Sequence, residues 1–142
     1  MTNDGKNQPH FDIDLERGKV GENSTEEAYN SLVSGKVEVK TDYRTNETGN
    51  WYVETWSYRQ PDASDKVKSG INITESEWWV QSSTDGDVLI WVKTDRLKQE
   101  MREMNPRETH QPISNLHSKA SIGRLVNVKE FLQRVGMLKR ND

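Results

Sequence analysis

Glu38, Lys40 and Asp42 alternate with Val37, Val39 and Thr41, and Glu54 follows in a second alternating stretch. Extended backbone has a side-chain period of two. It therefore sets Glu38, Lys40 and Asp42 on one face and Val37, Val39 and Thr41 on the other. In the second stretch the same period groups Tyr52, Glu54 and Trp56 opposite Trp51, Val53 and Thr55. If the two polar rows line one side, two or three carboxylates and one ammonium meet on a small patch. Carboxylate oxygens at that density suit a hard divalent cation such as Mg²⁺. A lysine beside them could orient or activate a water, or neutralise charge developing on a phosphate. The same alternation also fits a solvated hairpin, because an exposed edge commonly carries Glu and Lys to stay soluble.

Two short strands must hold these groups. Residues 35–42 and 49–56 are read as a pair, with Thr48-Gly49-Asn50 supplying turn chemistry between them. A helix is expected before them, from Asp14 or Leu15 to about Val33, with Phe11 and Ile13 as a short extended entry or helix approach. Gly18 and Gly21 weaken its start by about 1 kcal/mol each, and Ser24-Thr25-Glu26-Glu27 offers a later start signal. If the helix is continuous, Leu15, Glu22, Tyr29 and Val33 share a buried-looking stripe.

After the strands, residues 58–68 read as a loop in which Arg59, Lys66 and Lys68 could touch a DNA backbone or simply be solvated. Ser69-Gly70-Ile71 reads as a turn, and residues 74–77 as one helical turn capped by Thr74. Residues 78–82 form a strand, Asp85-Gly86 a hairpin turn, and Val88-Leu89-Ile90-Trp91-Val92, the most apolar run, a central strand. A helix follows from Thr94, capped by Thr94 or Asp95, through about Glu103, and Asn105-Pro106 ends it. Residues 105–121 are expected to be a polar excursion. Residues 122–128 return as a strand with Leu125 and Val126 buried, and a last helix to about Val135 starts from an Asn127 cap. Arg124 is the best candidate there for a phosphate contact.

The chain of 142 residues is 31% apolar and 30% charged, which suits one domain with a modest core and loose ends. The expected division is a flexible arm over 1–10, one domain over 11–136 and a frayed end over 137–142. All five tryptophans lie at positions 51, 56, 78, 79 and 91, placing the core in the middle. There is no cysteine, hence no disulfide framework or thiolate site. His10, His110 and His117 lack the close spacing of a zinc site. No apolar run approaches a membrane span and no signal pattern opens the chain, so a soluble cytoplasmic protein is expected. The net charge is −3, but residues 96–142 carry ten bases against five acids, whereas residues 1–95 carry ten against eighteen. An acidic half that could hold a metal joined to a basic half that could meet phosphates suits a nuclease. Two solvated faces would give the same counts.

Taken together, Glu38-Val39-Lys40-Thr41-Asp42, Thr48-Gly49-Asn50-Trp51-Tyr52-Val53-Glu54 and Ser69-Gly70-Ile71-Asn72-Ile73-Thr74, followed by Trp78-Trp79-Val80, resemble the PD-(D/E)XK nuclease superfamily. The similarity is to its small phage-encoded, Holliday-junction-resolvase-like members and covers roughly residues 11–98. It implies an α/β fold, a small mixed sheet of about five strands flanked by helices in a restriction-endonuclease-like core. It also implies a Mg²⁺-dependent DNA endonuclease, with Mn²⁺ as substitute and no organic cofactor. Glu38 and Glu54 would hold the metal with Glu22 or Asp42 as a further ligand, and Lys40 would be catalytic. Branched DNA as substrate, a homodimer and a host-cell cytoplasmic location follow from the same resemblance. Gly18-Lys19-Val20-Gly21-Glu22 is similar to the helix that often lends such sites an acid. Two alignments stand. Either Glu38-Val39-Lys40 is the Glu-x-Lys element, or Glu38 and Glu54 are the two acids with the lysine moved to position 40. In the second case Trp56 occupies the usual lysine position. A relative that keeps the fold but only binds DNA or a host protein, and an interaction protein using a Trp-rich sheet, are the competing expectations.

Overall fold

The computed structural model describes residues 8–113 and 119–140, with backbone alone for 8–18 and 20. Parts of the expected N-terminal arm (1–7), of the polar excursion (114–118) and of the C-terminal end (141–142) therefore lie outside the described residues. The chain divides into two compact units, residues 1–36 and 37–142. Among the described residues it is an α/β protein with four α-helices and two sheets. No helix among the described residues is long and apolar enough to cross a membrane.

The first unit contains helix α1 (Gln8–Val33). It starts earlier than expected and takes in Phe11 and Ile13, so of the two readings of that stretch the helical one holds. Gly18 and Gly21 do not break it; a cost of about 1 kcal/mol each is small against the turns on either side. Glu22, Tyr29 and Val33 are exposed instead of forming a buried stripe, and the side chain of Leu15 lies outside the described residues.

The second unit runs β1 (Val37–Thr41), α2 (Thr45–Thr48), β2 (Asn50–Tyr58), β3 (Val67–Lys68), a 3₁₀ turn (Gly70–Asn72), β4 (Trp78–Ser82), β5 (Leu89–Lys93), α3 (Thr94–Met104), β6 (Glu108–Gln111), β7 (Ala120–Asn127) and α4 (Val128–Arg134). The expected single sheet of about five strands is replaced by two. One is three-stranded and mixed, in the order β1-β4-β5; the other is four-stranded and antiparallel, in the order β3-β2-β7-β6.

The proposed pairing of β1 with β2 is therefore wrong. Residues 45–48 form a helical turn that carries the chain from one sheet to the other, too long a link for a tight hairpin. β1 instead pairs in parallel with β4, Glu38 opposite Trp79 and Lys40 opposite Gln81. Asp42 bridges the step: its Oδ2 accepts the Tyr52 N–H at 2.7 Å and its Oδ1 the Arg44 N–H at 2.9 Å.

β4 and β5 form the expected hairpin across Asp85-Gly86. The apolar run 88–92 is nonetheless an edge, with Val88 and Leu89 exposed, and β4 is the central strand. Residues 74–77 are not helical; the Thr74 hydroxyl accepts the Ser76 N–H in a local turn instead. α3 begins after Lys93 with no side-chain cap, whereas α4 is capped as expected, Asn127 Oδ1 accepting the Glu130 N–H at 2.8 Å. The excursion 105–121 contains β6, which pairs with β7. Val126 is fully buried and Leu125 only partly.

One core joins both sheets. Trp79 and Val92 come from the first sheet, Trp51, Val53 and Val126 from the second, and Leu97 and Phe131 from α3 and α4. Trp51 packs on Phe131 with ring centroids 5.2 Å apart. α3 and α4 are tied by charge as well. The nearly buried Glu100 accepts from Arg96 Nε at 3.0 Å and from Arg134 Nε at 2.7 Å, and Arg134 also reaches Glu103. Burial pushes the Glu100 pKa up, but the hydrogen bonds from Arg134 and then Arg96 outweigh it and hold the carboxyl below its ordinary value.

Candidate functional site

β2 is bulged, and the bulge decides which residues can meet. Glu54 pairs with Gly123 and Trp56 with Ile122, so Thr55 is the extra residue. Below the bulge Tyr52 and Glu54 share a face with Leu125 and Gly123. Above it that face continues through Ser57 and Ser121, while Trp56 and Tyr58 pack with Ile122 and Ala120 on the other side. Strict alternation had put Trp56 beside Glu54; the bulge removes it. Thr55 is fixed in place from three directions. Its Oγ1 donates to the Ile122 carbonyl at 3.1 Å, and its own carbonyl accepts the Ser69 N–H at 3.0 Å and Asn72 Nδ2 at 2.8 Å.

Those bonds seat the 3₁₀ turn against the bulge. Gly70 adopts φ +53°, and a Cβ there would overlap the Glu54 carbonyl oxygen and its own Cβ. Gly123 allows a second close approach: the Tyr52 ring lies where its Cβ would be. The Tyr52 hydroxyl is 2.8 Å from Ser121 Oγ. Burial holds the Tyr52 pKa above its ordinary value and the Glu54 charge acts in the same direction, against the Ser121 hydrogen bond. The phenol is therefore neutral at physiological pH.

The result is a cleft of about 1010 Å³ whose walls include Glu38 and Lys40 from β1, Glu54 and Ser57 from β2, Lys68 from β3, and Ser69 and Gly70 just after it. Lys119 and Ser121 close it from the β7 side. Lys40 Nζ is 2.6 Å from Glu38 Oε1 and 5.8 Å from the Trp79 ring centroid. β1 inverts the usual order of burial: Glu38 and Lys40 are half-buried, while Val39 between them is 54% exposed. The two charged side chains keep more than a third of their surface exposed and pair with each other.

Two buried polar groups near the cleft lack a partner among the described residues. Ser69 Oγ lies in the cleft wall, and Gln81 Nε2 belongs to the residue in register with Lys40. The Gln81 orientation is set, because its Oε1 accepts the Trp79 indole N–H, which can only donate, at 2.8 Å.

Of the residues singled out from the sequence, Glu38, Lys40, Glu54 and Lys68 come together here. Asp42 does not line the cleft, since its carboxylate is engaged by backbone N–H groups. Glu22 is exposed on α1, in the other compact unit. Arg59 is exposed in a turn closed by the Asp65 carboxylate. Lys66 Nζ sits 4.8 Å from the Trp56 ring centroid. Arg124 lines a second cleft, donating from Nη1 to the Pro106 carbonyl. Sequence reasoning did not name Ser69 or Lys119 as site residues: Ser69 entered only as an ordinary turn residue and as the first of the motif over residues 69–74, and Lys119 not at all. The close approach of Gly70 to Glu54 accompanies the bonds that the Ser69 N–H and the Asn72 side chain make to the Thr55 carbonyl.

Among the described residues, no group of three or more acidic or histidine side chains is placed to hold a metal ion. No protein-family model matches the chain, and neither does any curated protein or solved structure.

Proposed function

We propose that this protein is a divalent-metal-dependent endodeoxyribonuclease that hydrolyses phosphodiester bonds in the Glu38–Lys40–Glu54–Lys68 cleft. The observation that carries this reading is the meeting of two carboxylates and two ammonium groups from three separate stretches of chain in one concave site. The mixed sheet β1-β4-β5 supports a restriction-endonuclease-like core; the second antiparallel sheet is a departure from a single-sheet version of it.

Glu38 and Glu54 fit Mg²⁺, which is commonly bound through one or two carboxylates plus waters and substrate phosphate. Bound there, the ion supplies Lewis-acid stabilisation of the phosphate oxygens and a more acidic water. The chain supplies the rest. Lys40, held by Glu38 and the Trp79 ring, stands beside the attacking water and offsets charge building on phosphorus. Lys68 and the free Ser69 hydroxyl hold non-bridging oxygens of the scissile phosphate. Water oxygen bonds to phosphorus, the P–O bond to the leaving sugar breaks, and the departing oxygen takes up a proton.

A second reading, DNA binding without hydrolysis, is favoured by one observation. Of the two residues expected as a further acid, Glu22 or Asp42, Asp42 is engaged in joining the sheets and Glu22 belongs to the other compact unit, so the cleft's lining includes two carboxylates. Cleavage of a labelled four-way junction and a matched linear duplex in Mg²⁺ or Mn²⁺ separates the two. Wild type is expected to nick, preferring the junction, with Lys40→Ala and Glu54→Gln each at least about 100-fold slower, the scale of losing one charge-stabilising group. Wild-type protein that binds both DNAs and cuts neither would establish the second reading.

A further inference from the structure

The second cleft, of about 550 Å³, lies behind the bulge, on the far side of β2 from Glu54. Its walls are apolar where they are deepest: Ile71 is buried, and Trp56 and Met101 are partly buried. Its charges are cationic. Lys98 and Arg102 stand one turn apart on α3, and neither has an ion pair or hydrogen bond to a described residue. Two like charges at that spacing repel one another. Arg124 faces the same cleft, anchored by the Pro106 carbonyl and 3.8 Å from the cleft's one acid, Glu108.

The contrast along α3 is informative. Toward α4 its charges form a closed network, with Glu100 and Glu103 matched by Arg96 and Arg134. Toward the cleft the cations are left unmatched, and Lys98 is half-buried. An uncompensated, partly desolvated ammonium above an apolar floor calls for an anion that brings its own apolar surface. Inorganic phosphate would satisfy the rim and leave the floor wet. A neutral ring would do the reverse.

We propose that this cleft binds a nucleoside monophosphate unit, with the phosphate on Lys98, Arg102 and Arg124 and the base against Trp56, Ile71 and Met101. The fit is one of size as well as chemistry, since ligand pockets of this kind occupy about 300–1,000 Å³, and an aromatic wall stacks on any base. The unit is either a free nucleotide or the phosphorylated end of a DNA strand. The site requires neither metal nor Glu38 and Glu54, so it stands whether or not the first cleft hydrolyses DNA.

The test is a titration of the full chain in EDTA, followed by two-dimensional NMR with the Trp56 indole N–H and Met101 methyl as reporters. The probes are a deoxynucleoside 5′-monophosphate, its nucleoside, inorganic phosphate, and a trinucleotide with and without a 5′-phosphate. The monophosphate is expected to move both reporters, with nucleoside and inorganic phosphate at least tenfold weaker. The doubly substituted Lys98→Gln/Arg102→Gln protein, altered only at partly or fully exposed positions, should bind at least tenfold more weakly. A 5′-phosphorylated trinucleotide binding more tightly than the mononucleotide identifies a strand end as the source; the opposite order identifies free nucleotide, and either supports the site. Inorganic phosphate binding as tightly as the nucleotide would overturn the proposal. So would unchanged affinity in the double variant, or shifts confined to the Lys40 and Lys68 cleft.

Discussion

Gly70 shows how one residue's backbone freedom can govern a site it does not enter chemically. Its positive φ and its contact with the Glu54 main chain leave no room for a side chain. Gly70→Ala is expected to cost at least about 2 kcal/mol, combining backbone strain with displacement of β2, and to lower cleavage as Glu54 moves. Gly86 provides the control, with φ +79° but open space around it. Gly86→Ala should cost about 1 kcal/mol, from strain alone, and leave cleavage unchanged. Urea midpoints for the two variants, with cleavage rates alongside, check both statements. Equal losses would mean that the contact with Glu54 carries no weight.

At the scale of elements, α3 and α4 depend on the Glu100 carboxylate being ionised. Its folded pKa lies below the ordinary 4.5. The unfolded chain therefore binds the proton more readily, and stability falls as pH falls. The contribution is complete above about 4.5 and is lost as pH drops through the lowered folded value. Glu100→Gln should cost about 2 kcal/mol at pH 7 by leaving two guanidinium groups poorly matched. The gap between variant and wild type should narrow below pH 4.5 in urea titrations; a gap independent of pH would place the effect in packing.

Elements announced by local signals were legible in the sequence: the Asp85-Gly86 hairpin, the Asn127 cap, the helix after Lys93 and the strand through Val126. Pairing was not. β1 joins β4 across nearly forty residues, a parallel match with no turn to reveal it. β6, only Glu108–Gln111, has no apolar alternation and exists because β7 offers it an edge. Within the first cleft, Glu38, Lys40 and Glu54 were singled out by residue type and spacing together with the nuclease resemblance, and Lys68 as a loop cation. The reason they meet was not legible, because a bulge and a 3₁₀ turn leave no period to detect.

Across the whole molecule the net charge of −3 works against nucleic acid, so any DNA binding has to be local. Lys40, Lys68 and Lys119 line one cleft. Three phosphate contacts imply a slope of about −2.7 for log affinity against log salt on duplex DNA. Lys68→Ala should flatten it by about one unit while weakening all sequences alike. Fluorescence anisotropy between low and physiological salt measures both quantities; an unchanged slope would remove Lys68 from the phosphate path.

The bulge at Thr55 acts on the strand much as a frameshift acts on a message. Every side chain downstream is assigned to one surface or the other by a count of residues, not by their identity. Inserting a single residue opposite the bulge, between Ile122 and Gly123 of β7, would give Thr55 a partner and restore strict alternation, carrying the Trp56 indole into the cleft beside Glu54 and moving Ser57 out of it. Both clefts would change occupants at once. Along this stretch evolution is free to vary letters far more than it is free to vary length.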